Sequence, residues 1–298
     1  PALANSNAIP IENDIPTLKQ FNMILVAIPK KDNYIFLNPF SNNSLYGYFF
    51  NGRNTETLIV KDNGTEFVKA TCNKESESIS RTTIEINLKK NGAISGKIYS
   101  NMGGLFDFVL RNNTKDLREK EKSIFFTHLI NRLLEGAKSK NERLSDPRNI
   151  FKNMEISQEF SGTEFAIKQG NLFILDLPDN PYKFAEIYQQ PNLTTRKYTF
   201  RYDTEYKSQT EYIIHLPNGF LPINAPENFN VKTAYGEFSL ISFFNKNKSE
   251  LKIIKTNIIS RRDITEKEYT NFKENIDKFN FPANKIIILE SKKRFWLF

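Results

Sequence analysis

The chain has 298 residues, 39% hydrophobic and 26% charged, enough to bury a substantial core and unlike the composition of a disordered or fibrous chain. Its formal charge of +8 comes from 42 basic against 34 acidic residues; the excess is scattered in short runs (Lys138, Lys140 and Arg143; Lys292, Lys293 and Arg294), not gathered into a stripe or module, so no nucleic-acid partner is expected. One cysteine, Cys72, excludes an internal disulfide and a cysteine-based zinc cluster, two histidines, His128 and His215, exclude a histidine-rich metal site, and no apolar run approaches the ~20 residues of a transmembrane helix.

Abundant Ile and Thr with 26 Phe and 12 Tyr suit half-buried pleated surfaces, so a mainly β fold is expected. Residues 1–20 are rich in Asn and Pro and read as an extended arm. With no initiator Met and no charged-then-apolar leader, Pro1 is expected to be an internal point of a processed or longer chain. From Phe21 to Phe40 runs FNMILVAIPKKDNYIFLNPF, a hairpin turning at Lys30-Lys31-Asp32-Asn33. Both arms, Met23 to Ile28 and Tyr34 to Leu37, are continuously apolar, which predicts burial on both faces. A strand follows at Thr57 to Val60, then a polar linker near Asn73 to Ser78.

From Ser80 the pattern alternates: Ile84, Ile86 and Leu88 on one face, Thr83, Glu85 and Asn87 on the other. Asn91-Gly92 supplies a hairpin turn before Ile94 to Tyr99. Gly103-Gly104 reads as a tight turn, since it lacks the wider fingerprint of a phosphate loop. One helix is predicted over Asp116 to Glu135, capped by Thr114 and closed by Gly136, with Leu117, Phe125, Leu129 and Leu133 inward and His128 beside them. Strands follow at Glu164 to Lys168 and Leu172 to Leu177, then Pro178 and Pro181 suggest a boundary. The last block alternates Tyr198, Phe200 and Tyr202 with Thr199 and Arg201, continues through Glu211 to Leu216, Val231 to Tyr235, Phe238 to Phe244 and Leu251 to Ile259, and ends in Lys285 to Glu290. Thr265 with Glu268 forms a capping box opening a short helix whose apolar face is Tyr269, Phe272, Ile276 and Phe279. Many strands with few helices argue for antiparallel β-sandwich domains carrying two short-to-medium helices.

The string Pro16-Thr17-Leu18-Lys19-Gln20-Phe21-Asn22 before an apolar strand, and Tyr34-Ile35-Phe36-Leu37-Asn38-Pro39 after the turn, resemble the end of the core in the bacterial transglutaminase-like superfamily, in which that core is flanked by β-sandwich domains of unknown function. There the first strand begins Phe-Asn-His and the second ends aromatic-Leu-Asp-Pro. Gly47-Tyr48, the hairpin between Ser80 and Arg111, Gly170, Arg196, Leu216-Pro217-Asn218-Gly219, Pro226 and Tyr269 extend the resemblance nearly to Arg294. It implies three domains: 1–75, the C-terminal part of the core including the hairpin; 76–182, β-rich with one helix; and 183–298, a C-terminal sandwich. It also implies a periplasmic or cell-surface location.

The family's chemistry uses a Cys-His-Asp arrangement: a thiolate attacks an acyl carbon, an imidazole moves the proton, and a carboxylate orients the imidazole. Carried over, the His position is Met23 and the Asp position is Asn38, while the nucleophile's position lies upstream of this chain. A thioether neither accepts nor donates a proton at neutral pH, so Asn38 has no base to orient. Cys72 falls after both strands and reads as a small half-buried residue, and His215 as a structural histidine. These residues imply no intact catalytic set, no cofactor and no metal, and a non-catalytic structural or protein-binding region of a degenerate member, whose partner is the remainder of a longer chain or a co-assembled subunit. Two alternatives stay open. One is part of an active acyltransferase or cysteine peptidase with its nucleophile upstream. The other is a carbohydrate- or peptide-binding sandwich using Tyr198, Tyr202 or Tyr235. The apolar end Arg294-Phe295-Trp296-Leu297-Phe298 is expected to dock on its own body or on a partner.

Overall fold

Ala2–Ala4, three residues inside the supposed arm, form strand β1 at the centre of a sheet. The computed structural model describes residues 1–7, 11–12, 14–15, 17–41, 43–49, 53–72, 77–183, 191–202 and 204–291. They divide into two units, one of residues 1–79, 102–115 and 146–154, the other of 80–101, 116–145 and 155–298.

In the first unit, the hairpin is β2 (Met23–Lys30) with β3 (Asn33–Leu37), and a second hairpin joins β4 (Glu56–Lys61) to β5 (Gly64–Lys69). The sheet order is β3-β2-β1-β4-β5. β1 stitches the hairpins together, Ala2 pairing with Leu25 on one side and Ile59 on the other. So short an alanine-rich strand has neither periodicity nor β-branched residues to announce it, and its partners lie far along the chain. Ala2 and Ala4 are wholly buried, and their small side chains leave room for Phe36 and Phe49, whose rings meet edge-on at 6.1 Å. With Leu25, Ile59 and Ala70 these residues form the core of the sheet's inner face. The Tyr34 hydroxyl on β3 donates to Glu66 on β5, so the two edge strands meet and the sheet curls around that core. Burial of the first hairpin on both faces is not found. Ile24 and Val26 are 47% and 42% exposed while Leu25 between them is buried, so the apolar run hides an alternation of inner and outer residues.

Past Met102 the chain enters a helix that the predicted tight turn did not foresee, α1 (Gly104–Thr114). Gly103 is its N-cap, donating its N–H to Ile79 O at 2.8 Å, and Gly104 enters the helix at φ +55°. The Leu105 N–H donates to Ser78 Oγ at 3.1 Å. Thr114 is therefore the last residue of one helix and not the cap of the next: its Oγ1 donates to Leu110 O at 2.7 Å. The predicted helix is α2 (Glu119–Leu133), with the Arg118 N–H capped by Glu121 Oε2 at 2.7 Å and Gly136 at φ +73° beyond its end. Its buried face is Phe126, Leu129, Ile130 and Leu133. His128 is exposed.

The second unit is built on an eight-stranded sheet. Its members are β6 (Ile79–Leu88), β7 (Ile94–Met102), β8 (Lys138–Leu144) and β9 (Met154–Gly162). The small strands β10 (Ile167–Gln169), β11 (Leu172–Asp176) and β12 (Phe200–Arg201) come next in the chain. After them run β13 (Tyr206–His215), β14 (Phe220–Asn224), β15 (Phe229–Thr233), β16 (Gly236–Asn245), β17 (Glu250–Ile259), β18 (Asp263–Ile264), α3 (Glu266–Phe279) and β19 (Ile286–Ser291). The large sheet has the order β15-β16-β17-β13-β6-β7-β9-β8, so residues on either side of Tyr182 share it. The alternation expected from Ser80 holds: Ile84, Ile86 and Leu88 are buried while Arg81, Glu85 and Asn87 are exposed. β10-β11-β19-β14 form a second sheet and β12-β18 a ribbon. The Thr265 capping box opens α3 as its sequence indicates, with Thr265 N–H and Oγ1 donating to Glu268 Oε2 at 3.1 and 2.8 Å. Phe272 of α3 is fully buried and meets Tyr235 edge-on at 5.0 Å and Tyr202 at 6.0 Å. The predominance of β structure in antiparallel sheets is as the composition indicates, with three α-helices among the described residues in place of two.

Candidate functional site

The first hairpin turns through two residues, Lys31 and Asp32, because Lys30 pairs with Asn33. Its ladder runs back from there to Val26↔Leu37. Beyond that rung the strands part. β2 continues against β1, with Met23 opposite Ala4, and β3 ends in a turn. Asn38 makes that turn, accepting the Phe40 N–H on its Oδ1 at 3.0 Å and the Ser41 N–H on its carbonyl at 3.1 Å. This is the ordinary use of a short amide side chain at a turn. The rung Ala27↔Phe36 puts Met23, Leu25 and Ala27 on the same face as Tyr34 and Phe36, since side chains alternate along each strand. That face is the inner one. Met23 packs there against the apolar cluster of Ala2, Ala4, Leu25, Phe36, Phe49, Ile59 and Ala70.

Cys72 packs against the same cluster, a proximity that its place after both strands in the sequence did not suggest. It is half-buried, and its thiol lies 3.6 Å from Phe49 O. Burial pushes the thiol above its ordinary range, outweighing the opposing pulls of the Phe49 carbonyl contact and the Arg53 charge. A thiol held protonated in this way is a poor nucleophile, because the thiolate is the reactive form.

The most elaborate polar arrangement in the first unit was not singled out for chemistry in the sequence. Asp107 and Arg111, one helical turn apart on α1, are both completely buried. Arg111 Nε and Nη2 donate to Asp107 Oδ1 and Oδ2 at 2.5 and 3.0 Å. Its remaining N–H groups reach Pro147 O at 2.8 Å, Asn149 O at 3.0 Å and Lys152 O at 2.5 Å. Asp107 Oδ2 also accepts the Met154 N–H at 2.7 Å. Burial pushes the Asp107 carboxyl upward, opposed by the guanidinium and by the Met154 amide. Every contact goes to helix α1 or to residues 147–154, so the network organises a loop. An Asp and an Arg four residues apart in an apolar helical stretch is the signal that could have revealed it.

The other candidate residues separate. His215 Nε2 lies 3.0 Å from Glu85 Oε1 on the outward side of the large sheet, with Glu250 Oε2 3.9 Å from Nδ1. Tyr198 is 80% exposed, but Tyr202 and Tyr235 are core residues at 2% and 5%. The three do not make an exposed aromatic row, and the observation that a carbohydrate- or peptide-binding sandwich would need is missing from them. Lys138, Lys140 and Arg143 lie exposed on β8, the edge of the eight-stranded sheet, where charged side chains discourage pairing with another chain's strand. Lys292, Lys293 and the stretch Arg294 to Phe298 lie outside the described residues. Among the described residues no group of three or more His, Cys, Asp or Glu could hold a metal ion, and no helix is long and apolar enough to cross a membrane.

The architecture is thus a predominantly β chain with a curled five-stranded sheet ahead of a larger sheet system. Residues 170–289, less than half of the chain, match the profile of a domain of unknown function with solved structure, DUF3858. The crystal structure of a candidate protease from Parabacteroides distasonis is similar to this chain with a TM-score of 0.50 and 10% sequence identity, the match covering 97% of this chain and 39% of that one. At that identity the likeness is one of fold, and this chain spans well under half the length of that protein. No curated protein matches the sequence significantly.

Proposed function

We propose that this chain is the C-terminal region of a transglutaminase-like protein whose acid–base pair has been lost, and that it acts as a non-catalytic structural or protein-binding region. The observation that carries this reading is Met23, a thioether packed against hydrocarbon where the resemblance puts an imidazole. Asn38, at the carboxylate position, spends its side chain on the turn Asn38–Ser41. An imidazole and carboxylate working as a pair need to reach each other and the substrate. The fold-level likeness to a longer candidate protease and the downstream DUF3858 match support the transglutaminase-like assignment. On this reading the first unit carries the end of the core, and the protein works in the bacterial periplasm or at the cell surface.

The test is turnover. The intact protein, including whatever precedes Pro1, is incubated with glutamine-donor and amine-acceptor peptides, and separately with peptides that report cleavage. No product above a buffer control is expected. Turnover abolished by replacing a cysteine upstream of Pro1 would overturn the proposal in favour of an enzyme that draws its base from another part of the chain.

A further inference from the structure

The chain contains the pairs Asn51-Gly52, Asn63-Gly64, Asn91-Gly92 and Asn218-Gly219. An asparagine before glycine is prone to spontaneous deamidation, because glycine has no Cβ to screen its nitrogen from the asparagine side chain. In a folded chain the surrounding backbone decides whether that attack can occur. The first pair lies outside the described residues, and the other three are held in different ways.

In Asn91-Gly92 both reacting groups are occupied. The Gly92 N–H donates to Lys89 O at 3.0 Å, Gly92 O accepts the Ala166 N–H at 3.1 Å, and Asn91 Oδ1 accepts the Ala93 N–H at 3.2 Å. Gly64 is the first residue of β5 and lies opposite Lys61, so the peptide that would have to turn belongs to the β4–β5 ladder. Asn218-Gly219 is exposed between β13 and β14. Its turn is anchored at the ends, where Pro217 and Phe220 are buried and the Phe220 N–H donates to Pro217 O at 3.1 Å. The Phe220 ring also stacks on Phe173 at 4.6 Å. At the tip, neither the Asn218 side chain nor the Gly219 N–H has a hydrogen-bond partner among the described residues. A Cβ added at Gly219 would meet nothing within 4 Å. Asn218 also lines a cleft of about 820 Å³ with Lys90 and Lys168, the charged side chains among its described lining residues.

We propose that Asn218 is a site of spontaneous deamidation, left open by the fold while Asn63 and Asn91 are closed. The Gly219 N–H gives its proton to hydroxide and the nitrogen bonds to Asn218 Cγ. The Cγ–Nδ2 bond breaks, and Nδ2 leaves as ammonia with a proton from solvent. Water then opens the succinimide at either carbonyl, giving aspartate or isoaspartate. The net change is one amide and one water for one carboxylic acid and one ammonia. The two ammonium groups favour the anion that forms during attack and the carboxylate that results. A cleft presenting positive charge thereby acquires a negative one.

Peptide-level mass spectrometry of the full chain, aged at mildly alkaline pH and resolving Asn, Asp and isoaspartate, tests this. In the folded protein Asn218 is expected to convert at least tenfold faster than Asn63 and Asn91, and in urea the three rates should converge. A smaller separation in the folded protein overturns the proposal. So does a separation that persists in urea, which would make local sequence and not the fold its cause. Lys90→Gln with Lys168→Gln, both at exposed positions, should slow conversion at Asn218 and leave Asn63 unaffected; an unchanged Asn218 rate overturns the part given to the lysines. The readout is mass and not turnover, so the outcome stands apart from the non-catalytic assignment.

Discussion

Arg111 and Asp107 face each other inside the first unit with neither side chain touching solvent, and the same guanidinium holds three carbonyls of the loop Pro147–Lys152. Replacing one member of a buried pair leaves the other charged and unpaired, at about 3–5 kcal/mol. Arg111→Met is therefore expected to destabilise the first unit by that order in urea unfolding. Arg111→Lys should recover only part of the loss, because an ammonium lacks the planar fork that meets the carboxylate and carbonyls together. A loss under ~1 kcal/mol for Arg111→Met would mean the loop is held by something else.

Two glycines with left-handed backbones separate strain from crowding. At Gly104 (φ +55°) an added Cβ would lie 2.6 Å from both Ser78 Cα and Ser78 N; at Gly136 (φ +73°) it would meet nothing within 4 Å. Gly136→Ala should cost only the left-handed penalty of ~1–2 kcal/mol. Gly104→Ala adds a backbone collision, so a total of ~2–5 kcal/mol is expected. Equal midpoints for the two variants in denaturant titration would contradict the placement of α1 against Ser78.

Acid should loosen α3 at its N-terminus. Arg261 foremost, with the Thr265 hydroxyl and N–H, holds the Glu268 carboxyl down at about 2 against an ordinary 4.5. A depressed carboxylate stabilises the fold above its unfolded value and loses that contribution as pH falls through its folded value. The window is therefore from about pH 4.5 down to about pH 2, and because Glu268 is well solvated the effect should be small and weakened by salt. Residue-resolved amide exchange in α3 across that range is expected to show the loosening, and Glu268→Gln should flatten it. An unchanged acid profile in that variant would remove Glu268 as the cause.

The Cys72 thiol should react slowly. Since burial raises its pKa, less thiolate is present at pH 8 than for a free cysteine, and access is restricted as well. Reaction with a disulfide reagent is expected to be at least tenfold slower than for the same protein in denaturant. A native rate equal to the denatured one would show an open, activated sulfur and would reopen Cys72 as a nucleophile.

Returning an imidazole to position 23 should not suit the fold. Met23→His puts a polar ring against an apolar cluster, with an expected loss of ~1–3 kcal/mol in chemical denaturation. A variant as stable as its parent would indicate that the site keeps room and polarity for a base, against the loss of function proposed for it.

The elements that could be read from sequence are those whose signal is local. The Asn91-Gly92 turn, the alternation of β6 and the Thr265–Glu268 box each declare themselves within a few residues. β1 and α1 do not. β1 is three residues long with partners at Leu25 and Ile59. α1 opens on two glycines, and its polar pair Asp107–Arg111 makes sense only once residues 147–154 are folded over it. The inner and outer faces of β2 were likewise hidden, because hydrophobic side chains occupy both. Position 23 stood out through family resemblance alone; its packing against Ala2, Ala4 and Phe36 became visible only in three dimensions.

The central place of β1 gives the order in which the first unit can assemble. Each flanking hairpin closes over a short loop and can form early, whereas Ala2–Ala4 must find Leu25 on one side and Ile59 on the other across far longer stretches of chain, at a greater entropic cost. Until it does, the hairpins are two separate ribbons, and neither is stable alone in water. Three small residues thus act as a latch that closes last, and deleting Ala2–Ala4 should leave the first unit in pieces while the eight-stranded sheet still folds.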